Sequence, residues 1–437
     1  MNRFVAIALA AGSALAAPRL IPEAPSAPPY VYEPMAAQFV AGPDASKPEW
    51  SPSGRYIAFR LNAPDAADAE PPPARVVLWS RRTRRAAVDW TAPWPKSDVT
   101  QQVWLPGSDM LLLGVTDDRT EIAGGIVNRG NMHILQMDPR KGAAAEIASV
   151  WMGPSTYLIV SPRGPYAVAF SGGEDVSKAV IIGPNGASNP IDLPTGEYNG
   201  AWRWSANGAA LAAEYHPYAK SPEDKPASVW VELDARTATL KLNVPKPTAV
   251  AEPEPPVPPF GVPEVRARYT GPFGAQPVHP LWLVETGGAG PEHFLLHPDG
   301  HSAVISPRWD GVCYLSDGML FVRPLVRTPR TEYMQRKAAA ARKAASENAR
   351  QIGVALRMYS DDYDNQYPLP GDDMKVRVGP YIRDPDIWDA VGGFHYAFAG
   401  GSLKGADPAV TEIGYYDVPG GRVIAYGDGH AAFVAGG

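Results

Sequence analysis

Asp361, Asp362, Asp364 and Asn365 stand together near the end of the stretch ENARQIGVALRMYSDDYDNQYP, residues 347–368. Closely spaced carboxylate and amide oxygens are the donors a hard cation takes, and calcium is the cation this set would suit. Asp362, Asp364 and Asn365 are the candidate ligands. The rhythm of a calcium loop is incomplete, with no glycine at its turn position and no closing glutamate, so carboxylates that end a helix in solvent are the competing reading. His293, His297 and His301 recur every four residues, a spacing that aligns metal ligands on a helix. Pro298, Asp299 and Gly300 break any such helix, which predicts a strand–turn–strand bearing structural or exposed histidines. Asp-Gly-His occurs at 299–301 and again at 428–430, each time before a small apolar strand, as an Asp-Gly turn would place it. Cys313, the single cysteine, lies in the apolar run GVCYLSDG and reads as a buried thiol rather than a nucleophile.

Other reactive constellations do not assemble. AGGSLKG (399–405) has a serine but lacks the glycine two residues later that a nucleophile elbow needs. No phosphate loop, dinucleotide fingerprint or His-Glu-x-x-His sequence occurs. No catalytic or cofactor-binding residue is therefore assigned, and a non-enzymatic protein is expected. A formal net charge of −6 disfavours nucleic acid as a general partner.

The elements that must position these residues begin with a repeat. WSPSGRYIAF (50–59), VSPRGPYAVAF (160–170), WSANGAALAAEY (204–215) and HPDGHSAVIS (297–306) share one grammar, and WLPGSDMLLLGV (104–115) is a fainter copy. Each has an apolar or aromatic entry, a polar turn and an apolar strand, which is the signature of a hairpin. The 48 prolines and 42 glycines supply turns for many short strands. Units roughly 40 to 57 residues apart, each worth about four strands, predict a β-propeller of five or six blades. WSPSGRYIAF followed by LWSRRT resembles the TolB-like propeller repeat over residues 46–326. The proline-rich run at 246–265 interrupts the period as an inserted loop or linker. Trp50, Trp79, Trp104, Trp202, Trp204, Trp230 and Trp309 are expected to pack between blades.

After Pro329 the pattern changes. TEYMQRKAAAARKAASENARQIGVALRMYSDDYD predicts a helix of about thirty residues, with Ile352, Leu356, Tyr359 and Tyr363 along one stripe. Its first half is basic and alanine-rich, through Arg336, Lys337, Arg342, Lys343 and Arg350, and is expected to lie across a surface. FHYAFAG, EIGYYDV and RVIAYGDGHAAFV follow as strand candidates, so residues 327–437 read as a small α+β domain with one long helix on an antiparallel sheet. ENARQIGVALRMYSDDYDNQYP and AYGDGHAAFV resemble the globular domain of type II secretion pseudopilins of the prepilin-type processing-associated group, over roughly 333–434. The sequence departs from that group in two ways: a charged helix behind a propeller stands where an apolar stem is usual, and Val418 occupies the place of a histidine ten residues before Asp428.

At the N-terminus, Arg3, the apolar run Phe4–Ala11 and Ala14-Leu15-Ala16 form a signal-peptide pattern over 1–16, followed by an extended segment over 17–45. No later apolar run is long enough to span a membrane after signal cleavage. The expectation is an exported, periplasmic, cell-envelope or secreted protein that binds or scaffolds protein partners in the envelope, with the TolB-like and pseudopilin-like resemblances implying a secretion or pilus-like assembly. The alternative is a glycan- or peptide-processing enzyme that uses the propeller mouth; oligomeric state is left open.

Overall fold

A computed structural model of the chain describes residues 29–61, 72–122, 125–153, 156–172, 177–219, 227–246, 263–267, 281–285, 293–371 and 373–436. The signal-peptide pattern and nearly all of the proline-rich run lie outside them. Contacts divide the chain into two compact units, Tyr32–Arg327 and, together with Pro29–Val31, Thr328–Gly437.

The described residues of the first unit form six successive antiparallel sheets, referred to below as blades. The first blade comprises Ala45–Trp50, Tyr56–Leu61, Arg75–Ser80 and Arg85–Thr91, paired in sequence order. The second runs from Asp98–Trp104 to Ala143–Trp151, the third from Tyr157–Val160 to Ile191–Leu193, and the fourth from Gly196–Trp204 to Thr239–Val244. Three strands are described in the fifth: Pro263–Ala267, Leu281–Glu285 and His293–His297. The sixth combines His301–Ile305, Gly311–Ser316 and Met319–Pro329 with two strands from the start of the chain, Tyr30–Pro34 and Gln38–Ala41. Gln38 pairs with Val322 and Phe39 with Phe321, so the segment expected to be extended contributes strands to the last blade.

Strand periodicity explains how a blade grips a neighbour on each side, as the first, second, third and sixth do among the described residues, because alternate side chains leave opposite faces. Ile57 and Phe59 pack with Cys313, Leu315 and Val322 of the sixth blade, while Ala58 between them packs with Val99, Leu111 and Leu113 of the second. Leu112 and Ile134 meet Leu158 and Ala169 of the third, and Val168 and Phe170 meet Trp202 and Leu211 of the fourth. Leu281 and Leu283 of the fifth pack on Val312 and Tyr314 of the sixth. Sheets that pack in succession, with the last on the first, make a β-propeller. Where both seams are described, apolar residues face the neighbours on both sides of the sheet, which is why the inner strands read as continuous apolar runs rather than alternating ones.

One turn recurs at one end of the blades. The N–H of Ser51 donates to the carbonyl of Tyr56 (2.9 Å), and the same reach of five residues joins Leu105 to Met110, Ser161 to Tyr166, Ser205 to Ala210 and Ser306 to Gly311. The sixth blade's copy is thus ISPRWDGVCYL, 305–315, rather than the expected HPDGHSAVIS. Pro298, Asp299 and Gly300 instead connect the fifth blade to the sixth. The left-handed position that Gly54 and Gly208 fill (both φ 67°) is taken at 309 by tryptophan (φ 61°). A bulky residue rarely accepts that conformation, and the glycine that marks the turn elsewhere is missing there.

In the second unit, α1 (Arg330–Asp362) packs on the sheet Phe394–Tyr396, Glu412–Val418, Gly421–Tyr426 and Ala431–Ala435. Its buried face is Ala345, Ala349, Ile352, Gly353, Ala355, Leu356, Tyr359 and Ser360, all but Ala345 in the C-terminal half. The expected stripe holds for Ile352, Leu356 and Tyr359; Tyr363 is exposed and stacks on Tyr359 at 4.3 Å. Gly353 lets α1 approach the Asp428–Gly429 turn, because a Cβ there would stand 3.3 Å from Gly429 Cα.

Candidate functional site

The opposite end of the blades from the repeated turn carries a pocket of about 480 Å³, walled by Lys47, Arg60, Asp98, Thr100, Gln101 and Thr156 among others. These residues come from the first two blades and from the segment entering the third. Arg60 sits across from Ser46 in the register of the first hairpin. The first strands of four blades are bulged: between Ser46 and Glu49, Val99 and Gln101, Asn199 and Arg203, and His301 and Val304. A bulge sharpens the local twist and re-aims side chains. In the first blade it places Lys47 in the left-handed region (φ 47°) with its side chain exposed.

Hydrogen bonds from these first strands, and from Arg60 on the second strand of the first blade, cross the blade seams. Arg60 Nη1 donates to the carbonyl of Val99, the Leu158 N–H donates to Gln101 Oε1, and Gln102 Nε2 donates to the carbonyl of Lys47 at 3.3 Å. Arg60 is 8 % exposed, and its Nε–H has no acceptor. Burial pushes its pKa down against the pull of Asp98 and Glu49. Burial raises the pKa of Glu49, opposed by a hydrogen bond from Gln102 and by the charges of Arg60 and Lys47. The mouth thus combines a buried guanidinium, an exposed ammonium and a carboxylate on a hydrogen-bonded frame.

A second polar group lies on the second blade and carries no motif. His133 lies between Glu146 (Nδ1–Oε1 2.9 Å) and Asp117 (Nε2–Oδ2 3.2 Å), with its ring stacked on Trp94 at 3.7 Å. Both ring nitrogens are engaged, so the residue is a cross-strand brace. The three side chains sit on adjacent strands at sequence separations that only the pairing register brings together.

The acidic end of α1 resolves into two parts. Asp364 and Asn365 both adopt left-handed backbone (φ 54° and 60°), and the Asn365 N–H donates to the Ser360 carbonyl at 2.8 Å. Asp and Asn tolerate that conformation better than other non-glycine residues, so they terminate the helix. Asp362 is held elsewhere: its Oδ2 accepts from the Tyr381 hydroxyl at 2.6 Å. Asp361, Asp364 and Asn365 line a pocket of about 680 Å³ with Arg357, Lys404 and Asp428. The three candidate calcium ligands are therefore divided between two environments. Among the described residues no group of three or more His, Cys, Asp or Glu side chains is arranged to hold a metal ion.

No family model matches this chain. No curated protein matches it either. Among solved structures, similarity is found to a puromycin hydrolase (17 % identity, 55 % of this chain and 33 % of that one, TM-score 0.27). TolB from Acinetobacter baumannii is 15 % identical over 64 % of this chain and 54 % of that one, with a TM-score of 0.25. The Cps50 (Swd1) β-propeller domain of Myceliophteria thermophila is 11 % identical over 66 % of this chain and 99 % of that one, with a TM-score of 0.33. The chain spans about a third of the first of these and about half of the second. The propeller assignment rests on the strand pairing and seam packing of this chain itself.

The remaining sequence candidates fall into structural places. Cys313 is fully buried, and burial pushes its thiol up to about 12. His297 Nδ1 accepts from the Asp299 N–H at 3.1 Å, within the connection to the sixth blade, where His301 opens the next strand with its side chain exposed. Asp428 Oδ1 accepts the His430 N–H at 3.0 Å, and this bond holds the Asp428 pKa below its usual value. Trp50 and Trp79 are buried at the seam of the first and sixth blades, and Trp202 and Trp204 at that of the third and fourth. Trp230 and Trp309 are only half-buried. No helix among the described residues is long and apolar enough to cross a membrane.

Proposed function

We propose that this chain is an exported, non-enzymatic binding or scaffolding protein of the cell envelope, and that its propeller mouth engages a protein partner. The observation that carries this reading is the fixed frame of the mouth. Gln101 and Gln102 spend hydrogen bonds on locking the first strands of three blades together, Arg60 ties the second strand of the first blade to the second blade, and a preorganised face binds without the cost of ordering it. Export is supported by the signal-peptide pattern of residues 1–16. The second unit, with its long helix on an antiparallel sheet, is compatible with a pseudopilin-like domain, and from that resemblance we propose an association with a secretion or pilus-like assembly.

The second reading, a glycan- or peptide-processing enzyme, draws support from the two carboxylates beside Arg60. Asp98 lines the pocket, whereas Glu49 is turned toward Gln102 and is not part of the pocket wall. That arrangement gives one accessible carboxylate where paired acid–base chemistry needs two.

The test is cross-linking and affinity capture from envelope extract with the full mature chain, beside a reporter fusion of the first thirty residues to an export-dependent phosphatase. The reading predicts an active reporter and a specifically retained protein that is lost when Lys47 is reversed in charge, Lys47→Glu. An inactive reporter overturns the export claim. Retention of no protein, with turnover of a peptide or glycan library, overturns the binding claim in favour of the enzyme.

A further inference from the structure

We propose that the propeller mouth is a carboxylate-recognition site, with Arg60 as the anchoring guanidinium and Lys47 as the second cation. The proposal rests on the reading of the propeller as a binding module and names the group it would recognise. A guanidinium carries five N–H donors in a fixed fork. Arg60 is more than nine-tenths buried and lines the pocket; it spends Nη1 on the Val99 carbonyl, its Nε–H is buried without an acceptor, and Nη2 makes no hydrogen bond among the described residues. It makes no ion pair among the described residues, and Asp98 and Glu49 act on it only through their charge. A buried cation is costly until an anion with matching acceptors meets it, and a carboxylate is the anion whose two oxygens fit the guanidinium fork.

Three further features narrow the ligand. Lys47 lies on the same wall, and its exposed ammonium adds charge at the rim. Asp98 also lines the pocket; its negative charge penalises a phosphate dianion more than a single carboxylate, and it offers an acceptor to an adjacent amide or amine. The pocket volume, about 480 Å³, suits a small ligand or the anchoring residues of a polypeptide. The ligand is thus a polypeptide carboxylate, either a chain terminus or an acidic side chain.

The test is an NMR titration of the full mature chain labelled with ¹⁵N-arginine, in which the Arg60 Nε–H signal is the one missing from Arg60→Lys. Four probes are compared: acetyl-Gly-Gly-Ala with a free C-terminus, the same peptide amidated, amidated acetyl-Gly-Glu-Gly, and inorganic phosphate. The proposal predicts a saturable shift with at least one carboxylate peptide and none with the amidated Gly-Gly-Ala peptide. The free-terminus and Glu peptides separate a chain end from a side chain. Lys47→Ala, at an exposed position that leaves the seams intact, should weaken binding about three- to tenfold, on the order of one charge-assisted contact. No shift with either carboxylate peptide, an equal shift with the amidated control, or tighter binding of phosphate each overturns it. If Arg60→Lys does not fold, the signal is assigned by through-bond correlation from the Arg60 backbone in the uniformly ¹³C,¹⁵N-labelled chain. Retention of an envelope protein without any carboxylate response leaves the binding reading standing and removes this proposal.

Discussion

Arg81 of the first blade grips Asp310 of the sixth through both charge and backbone: Nη1 lies 2.6 Å from Oδ1, and Nη2 donates to the carbonyl at 2.6 Å. Asp310 is itself fixed by the Ser306 hydroxyl at 2.7 Å. The contact joins the first and last blades of the ring, beside the apolar seam of Trp50, Trp79 and Cys313. Because both side chains are partly shielded and the acceptor geometry is fixed, the pair should exceed an ordinary surface ion pair. Arg81→Ala and Asp310→Ala should each destabilise the chain by about 1–2 kcal/mol, and the double variant by less than their sum. Urea unfolding of the four chains measures this; full additivity would show that the pair does not couple the blades.

Cys313 lies within that seam, fully buried, with burial holding its thiol up to about 12. A thiol so protonated and shielded does not react as a thiolate. The native chain should therefore leave an aromatic disulfide reagent unreacted at pH 8 for hours and release one equivalent on unfolding in guanidinium. Rapid reaction of the native chain would place Cys313 at an opening seam.

The end of α1 turns on left-handed backbone at Asp364 and Asn365. Asn365 adopts φ 60°, which glycine accepts freely and β-branched residues do not. Asn365→Gly should leave stability within a few tenths of a kcal/mol, whereas Asn365→Val should cost about 1–2 kcal/mol. Melting the chain with calcium and with chelator should give equal midpoints, because Asp362 is bound to Tyr381 and stands apart from Asp364 and Asn365. A calcium-dependent rise in the melting temperature would restore the metal site.

Alkaline pH should unfold this protein through its buried phenols. Burial raises Tyr198, Tyr396 and Tyr416 above the ordinary value of 10.0, and the Asp362 carboxylate raises Tyr381 to about 12. With the folded pKa above the unfolded one, the unfolded chain loses its proton first, so stability is fully present below pH 10 and falls as pH rises beyond it. Unfolding free energy measured from pH 8 to 11.5 should be level and then decline. Tyr416→Phe, which removes a buried hydroxyl bonded to the Ile387 carbonyl, should cost about 1 kcal/mol at pH 8 and make the alkaline decline shallower. A decline of unchanged slope would place the titrating groups elsewhere.

The repeated turn was legible in the amino-acid sequence because its chemistry is local. A serine, a proline or asparagine and a glycine within five residues dictate a reversal whatever surrounds it, and the five hydrogen bonds of identical reach confirm one turn in five blades. The stripe of Ile352, Leu356 and Tyr359 was legible for the same reason, since helical spacing alone puts them on one face. The sixth copy was misplaced because Trp309 stands where glycine marks the turn in the first and fourth blades, while Pro298, Asp299 and Gly300 imitate a turn one strand too early. The acidic run at 361–365 reads as one cluster in sequence, yet left-handed backbone at Asp364 and Asn365 swings the chain so that Asp362 meets Tyr381 instead. The mouth was not legible at all. Lys47, Arg60, Asp98 and Gln101 come from separate strands with no shared spacing, and only bulges and inter-blade packing bring them to one wall. Sequence determined the repeated turn's hairpin grammar only where glycine or asparagine marks it, and the helix throughout, because those depend on neighbours along the chain. Tertiary structure alone decided the site, because a buried guanidinium is defined by what surrounds it in space.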